Sequence, residues 1–293
     1  MQFKKSVTSF CALIGVAVGL TLVGLPAQAA PNGMAAPPTP DLRGPCAWDF
    51  QQMVLSPDMT GNGYGDVLLV DGYGFLCRFG YQPGAVLNQP SWSGGFDNTR
   101  IAAPGDWNRD GKADVIGVVN GHMFLYPGIG SGNWGKGTMI GHGWSYYTVI
   151  PVGDLTGDGL VNLLAVDNRI GVLLMYSSNG RGGFQPGHTQ VGHGWKNMRL
   201  LAAGDLNRDG RADILGVTAD GRLLFYAGKG TGSFQKPVQV GHGWMNLNLA
   251  AGADLDGDGK ADIIGWKPGG DLLFYRGKGL GTFEKPVVMT LQQ

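Results

Sequence analysis

The chain has 293 residues, with 22 basic and 22 acidic side chains balancing to zero, and 53 glycines. Balanced charge with no basic cluster excludes a nucleic-acid partner, because phosphate binding needs a cationic stripe. An ordinary hydrophobic share of 43% excludes a disordered low-complexity chain, and glycine without a three-residue period excludes collagen.

Residues 1–29 read as an export signal. Lys4 and Lys5 form the charged start, residues 10 to 25 are mostly apolar, and Ala27 to Ala29 is a small-residue cleavage site. Cys11 has no lipid-attachment context. The expectation is a secreted protein, cut near Ala29, with no membrane span in its mature form. Residues 30–44 are a linker rich in proline and alanine. Cys46 and Cys77 then form an even pair in an oxidising compartment, a disulfide candidate that ties the N-terminal segment to the main body of the chain. Two free buried thiols are the alternative.

Residues 45–293 repeat. An aspartate-rich stretch recurs at Asp58, Asp106, Asp154, Asp205 and Asp254, in steps of 48, 48, 51 and 49 residues. An aromatic precedes each first aspartate by ten positions: Trp48, Phe96, Trp144, Trp195 and Trp244. Within a unit the short apolar runs, bounded by Gly, Asp and Asn, read as four strands. In the fourth unit these are residues 198–203, 214–217, 223–226 and 234–240. Runs that are apolar on both alternating sets are covered on both faces, and Pro237 and Pro286 suit an edge strand. No helical period is sustained. Four strands at a period near 49 residues predict an all-β fold, a β-propeller of about five four-stranded blades. The units begin and end in the same phase, so no exchange of strands between the chain ends is visible. Closure then rests on blade packing and the disulfide, or on a partner that completes the ring.

Residues 205–234, DLNRDGRADILGVTADGRLLFYAGKGTGSF, resemble the FG-GAP/VCBS-type repeat, which is similar to the calcium-loop blades of integrin α-subunits. The recurring VGHGW and GRLLFY elements resemble repeat modules attached to secreted bacterial hydrolases. The resemblance implies a calcium-binding propeller and a surface carbohydrate or cell-wall target.

The aspartate-rich stretches place oxygen donors at positions one, three, five and nine, with glycine at position six for the tight turn. The sets are Asp58, Thr60, Asn62 and Asp66; Asp106, Asn108, Asp110 and Asp114; Asp154, Thr156, Asp158 and Asn162; Asp205, Asn207, Asp209 and Asp213; and Asp254, Asp256, Asp258 and Asp262. Up to five calcium ions are expected, held most tightly by the fifth loop with its four carboxylates, then by the second and fourth, the third and the first. Gly117 and Gly265 stand where an EF-hand needs a bidentate glutamate, so that motif is excluded. Aspartate-rich turns without metal are the alternative.

No catalytic set emerges. Glu284 is the one glutamate, and Asp71, Asp167, Asp220 and Asp271 recur at one turn. The pairs His142 with Trp144, His193 with Trp195 and His242 with Trp244 fall where one unit passes to the next. They are candidate sugar contacts on the face opposite the calcium loops, or the tryptophans pack between blades. The expected function is non-catalytic recognition of a glycan or cell-surface component. The alternative is an adhesion or inhibitor platform for a protein partner, and an enzyme comes third.

Overall fold

The computed structural model describes Cys46, residues 50–88 and residues 91–291. The expected export signal and linker, and Trp48, lie outside the described residues.

Each repeat forms a four-stranded antiparallel blade. Blade III shows the pattern: Tyr147–Gly153, Asn162–Asp167, Val172–Ser177 and Thr189–His193 pair in chain order. Blade II runs through Arg100–Gly105, Asp114–Val119, His122–Tyr126 and Thr138–His142. Blade IV has Arg199–Gly204, Asp213–Val217, Leu223–Tyr226 and Val238–Gly241. Blade V has Asn248–Ala251, Ile263–Trp266, Leu272–Tyr275 and Val287–Val288. Blade I begins with Phe50–Ser56, Asp66–Asp71 and Leu76–Gln82. No α-helix occurs among the described residues, and one 3-10 turn spans Trp144–Tyr146.

The second strand of each blade is buried along its length, as in Asn162–Asp167, except at Val119, which ends that of blade II partly exposed. Alternate side chains of a strand point to opposite faces. Leu163 and Ala165 therefore enter the core shared with blade II, while Leu164 and Val166 enter the core shared with blade IV. Five such cores fill the five seams, which is why both alternating sets are apolar. The outer strands are shorter than expected. In blade IV the fourth strand starts only after Pro237, and Phe234 makes an isolated bridge to Gly228.

The ring closes within one chain. The first strands of successive blades lie side by side from I to V, and that of blade V lies against that of blade I. The disulfide between Cys46 and Cys77 is present. One expectation is corrected. Thr290–Leu291, at the far end of the chain, pairs in parallel with Val86–Leu87 of blade I. The ends do exchange a strand. The segment is two residues long and matches nothing in the repeat, so the period hides it.

Candidate functional site

Each aspartate-rich stretch joins the first strand of its blade to the second. Position nine is the buried hub. Asp66, Asp114, Asn162, Asp213 and Asp262 are all 1% exposed or less. Each accepts the amide of position two: Asp262 Oδ2 takes Leu255 N at 2.8 Å and Asp114 Oδ2 takes Trp107 N at 2.9 Å. Position two is itself an apolar plug, since Trp107, Leu155, Leu206 and Leu255 are fully buried. The second carboxylate oxygen reaches the turn between strands three and four of the same blade. Asp114, Asp213 and Asp262 accept the amides of Gly128, Gly228 and Gly277 at 2.7, 2.8 and 2.9 Å. A Cβ on Gly228 would stand 2.0 Å from the Ala212 carbonyl, so only glycine fits. Burial pushes the Asp213 carboxyl up to about 6. Burial, with the charges of Asp256 and Asp258, pushes Asp262 up to about 7.

Blade III replaces this hub coherently. Asn162 accepts Leu155 N at 2.7 Å, but its Nδ2 needs an acceptor. Ser177 Oγ supplies one at 2.9 Å, where blade IV has Ala227.

Position one organises the tip of each loop. Asp254 accepts the amides of Gly257 and Gly259, each at 2.8 Å, and Asp154 those of Gly157 and Gly159 at 2.6 and 2.7 Å. Burial opposes ionisation of Asp154, but these amides hold its carboxyl below the ordinary range. In the fifth loop, Asp254, Asp256 and Asp262 bring one oxygen each within 4.8 Å of one another, and among the described residues no other loop assembles three carboxylates in this way. Asp256 Oδ1 is buried with no hydrogen-bond partner. An oxygen-only donor set with an orphaned carboxylate oxygen fits a hard cation such as calcium. Neighbouring cations offset part of this charge. Arg276 Nε lies 2.6 Å from Asp256, and Lys260 Nζ lies 2.6 Å from Asp258.

The His-Gly-Trp connections lie beside the turns between strands two and three. The amides of Trp144, Trp195 and Trp244 donate to the carbonyls of Gly121, Gly171 and Gly221, each at 3.0 Å. Phe96 does the same to Gly74 at 2.9 Å, so it belongs to the same column. The indoles turn into the seams. Trp144 is 6% exposed and packs against Tyr147, Tyr176 and Phe184. Trp195 and Trp244 pack on Tyr226 and Tyr275. Both glycines of the element follow from this. Gly143, Gly194 and Gly243 have φ of 86°, 89° and 84°, the left-handed region. A Cβ on Gly141 or Gly241 would stand 2.7 or 2.5 Å from the indole nitrogen. His142, His193 and His242 remain exposed.

At the same face, Thr148, Asn168, Lys196, Asn197, Met198 and Arg199 take part in an open pocket of about 320 Å³ between blades III and IV. Thr148 and Asn168 hydrogen-bond to each other at 3.2 Å. A second pocket of about 310 Å³, with Asn248, Trp266 and Lys267, lies between blades V and I. Aspartates outside the loops are turn formers. Asp71 accepts the amides of Tyr73 and Phe75 at 2.9 Å, and the Arg169 guanidinium holds the Asp167 carboxyl down to about 2.

Five four-stranded antiparallel blades, each with an acidic loop between its first and second strands, define a β-propeller built of one repeated unit. Residues 154–216 and 205–265 match the FG-GAP-like repeat family, so the chain carries FG-GAP-like repeats at these two positions. No curated protein matches the chain. Among solved structures, a triple arginine-to-alanine mutant of AofleA from Arthrobotrys oligospora is similar in fold, at 10% identity and a TM-score of 0.52, over 84% of this chain and 89% of that one. A lectin from Agrocybe aegerita, described as recognising non-reducing terminal N-acetylglucosamine, aligns at 22% identity and a TM-score of 0.47 over 80% of this chain. The chain spans 65% of that lectin's length. A Burkholderia pseudomallei lectin aligns at 16% identity and 0.49, over 81% of this chain and 69% of that one.

Proposed function

We propose that the protein is a secreted, calcium-stabilised propeller without catalytic activity that recognises carbohydrate on a cell surface or wall. The observation that carries this reading is the pocket between blades III and IV. Its hydroxyl, amide and ammonium groups (Thr148, Asn168, Asn197, Lys196) face open solvent. Neutral and cationic hydrogen-bonding groups suit sugar hydroxyls and acidic sugars, and no carboxylate lines the pocket to act as acid or base. Of the His-Gly-Trp tryptophans, Trp195 packs within this seam, and the exposed His193 precedes it by two residues.

Calcium has a structural role in this reading. The fifth loop would hold an ion through Asp254, Asp256 and Asp262, on the face turned away from the pocket. The ion would neutralise the charge gathered at the loop, including the Asp262 carboxyl that burial otherwise drives toward protonation.

A glycan array probed with the full chain, in calcium and in chelator, tests the proposal. Retention of a defined set of glycans by the parent protein, weakened in Asn197→Ala and Lys196→Ala variants that melt normally, is expected. Retention of no glycan by the folded, calcium-loaded protein overturns it.

A further inference from the structure

The ring encloses a channel of about 260 Å³, lined by the first strands of all five blades. Its lumen is aliphatic. Val54, Ala103, Val149, Leu201 and Ala251 line it and are each partly exposed. At the end where the first strands begin, equivalent positions carry Gln52, Arg100, Thr148, Arg199 and Asn248. Most of these polar groups are already engaged. The Gln52 amide bonds to both backbone groups of Ile101, at 2.7 and 2.8 Å. Arg100 donates to the carbonyls of Tyr147 and Trp144, at 2.8 and 3.2 Å. Thr148 pairs with Asn168 at 3.2 Å.

Arg199 differs. It is partly buried and lines the channel, and its Nη2 makes one long bond of 3.3 Å to the Trp244 carbonyl. Its Nε is buried with no hydrogen-bond partner, and no carboxylate pairs with it among the described residues. Burial lowers its affinity for the proton without removing its charge. A half-buried guanidinium with no counter-ion and an unpaired buried Nε, above an aliphatic tube, is half of a recognition site: charges withdrawn from water are otherwise paired.

We propose that the channel binds a small organic carboxylate with an apolar body. The carboxylate meets Arg199 and Asn248 at the mouth, and the body lies along the aliphatic lumen. The volume lies just below the range of about 300–1,000 Å³ typical of ligand pockets, so the occupant is small. The lumen is distinct from the seam pocket, although Thr148, Arg199 and Leu200 border both.

Calorimetric titration of the calcium-loaded full chain with octanoate tests the proposal, with octanol and acetate as controls for the charge and the body. Octanoate is expected to bind with one-to-one stoichiometry, more tightly than either control. Arg199→Gln is expected to weaken it about tenfold or more, the effect of losing a charged hydrogen bond, and Arg199→Lys to restore part of the loss. Ala103→Leu narrows the lumen and leaves the seam pocket intact. It is expected to abolish octanoate binding while any glycan retained by the parent is still retained. Equal binding of octanol and octanoate, or octanoate binding unchanged in both Arg199→Gln and Ala103→Leu, overturns the proposal. An absence of octanoate binding to the folded parent overturns it as well.

Discussion

The amide of Gly65 donates to the carbonyl of Asp254 at 2.8 Å, fastening the last acidic loop to the first where the ring closes. A Cβ on Gly65 would stand 2.7 Å from that same carbonyl oxygen. Gly65→Ala must therefore push blade I away from blade V, and overpacking of this kind costs about 1–3 kcal/mol. Truncation after Met289 removes the parallel pairing to Val86–Leu87 at the same closure. Both changes should lower the denaturant midpoint, and combining them should cost less than the sum, because they weaken one joint. Full additivity would show that the two contacts act independently.

Calcium should raise the melting temperature. A site with a dissociation constant of about 0.1 mM, saturated at about 1 mM, adds on the order of 1.4 kcal/mol. Melting in excess chelator should fall accordingly. The fifth loop separates metal from scaffold. Asp256→Asn removes the charge of the carboxylate that carries the orphaned oxygen and should shrink the calcium response; its remaining carbonyl oxygen can still accept from Arg276 Nε, so melting in chelator should change little. Asp262→Ala strands the amides of Leu255 and Gly277 and should destabilise by about 2–4 kcal/mol even in chelator. Equal melting of the parent with and without calcium would sink the structural role of the ion.

The Cys46–Cys77 bridge closes a separation of 31 residues. Chain-entropy reasoning assigns a loop of this length about 3.7 kcal/mol. A Cys46→Ser and Cys77→Ala double variant should lose stability of that order, measured by denaturant titration against the oxidised parent. Reducing agent should have no further effect on the variant.

The His-Gly-Trp element makes a sharp contrast. Gly241→Ala drives a methyl into the Trp244 indole, which rests on the Tyr275 ring at 4.8 Å, and should cost about 1–3 kcal/mol. His242→Ala alters an exposed side chain and should change stability by less than about 0.5 kcal/mol. Thermal melts of the two variants check the pair. A histidine change that lowers glycan retention without altering the melt would assign the imidazole to recognition.

The blades were legible because one unit is written five times. Its period, the acidic loops and the doubly apolar strands all follow from local pattern. Contacts that leave the pattern were not legible. Thr290–Leu291 has no counterpart in the repeat, so its pairing with blade I could not be read from phase. Arg276 lies 20 residues from Asp256 in sequence, and counting carboxylates could not reveal the cation beside them. The tryptophans were candidates for open stacking or for packing between blades, and Trp144 is covered by Tyr176 and Phe184, which lie 32 and 40 residues further along the chain. Position nine read as a cage ligand. Its hydrogen bonds to Gly128, Gly228 and Gly277 depend on a turn 14 or 15 residues away.

The match between Asn162 and Ser177 bears on how such repeats can be exchanged. A chimera that moves the loop of blade III into blade IV brings an amide donor to a turn that offers Ala227, and strands it. One that moves the reciprocal loop brings a carboxylate against Ser177. Loop and turn belong to one inheritable unit, so viable recombination points fall between blades, and a repeat that drifts at one position drags the other with it.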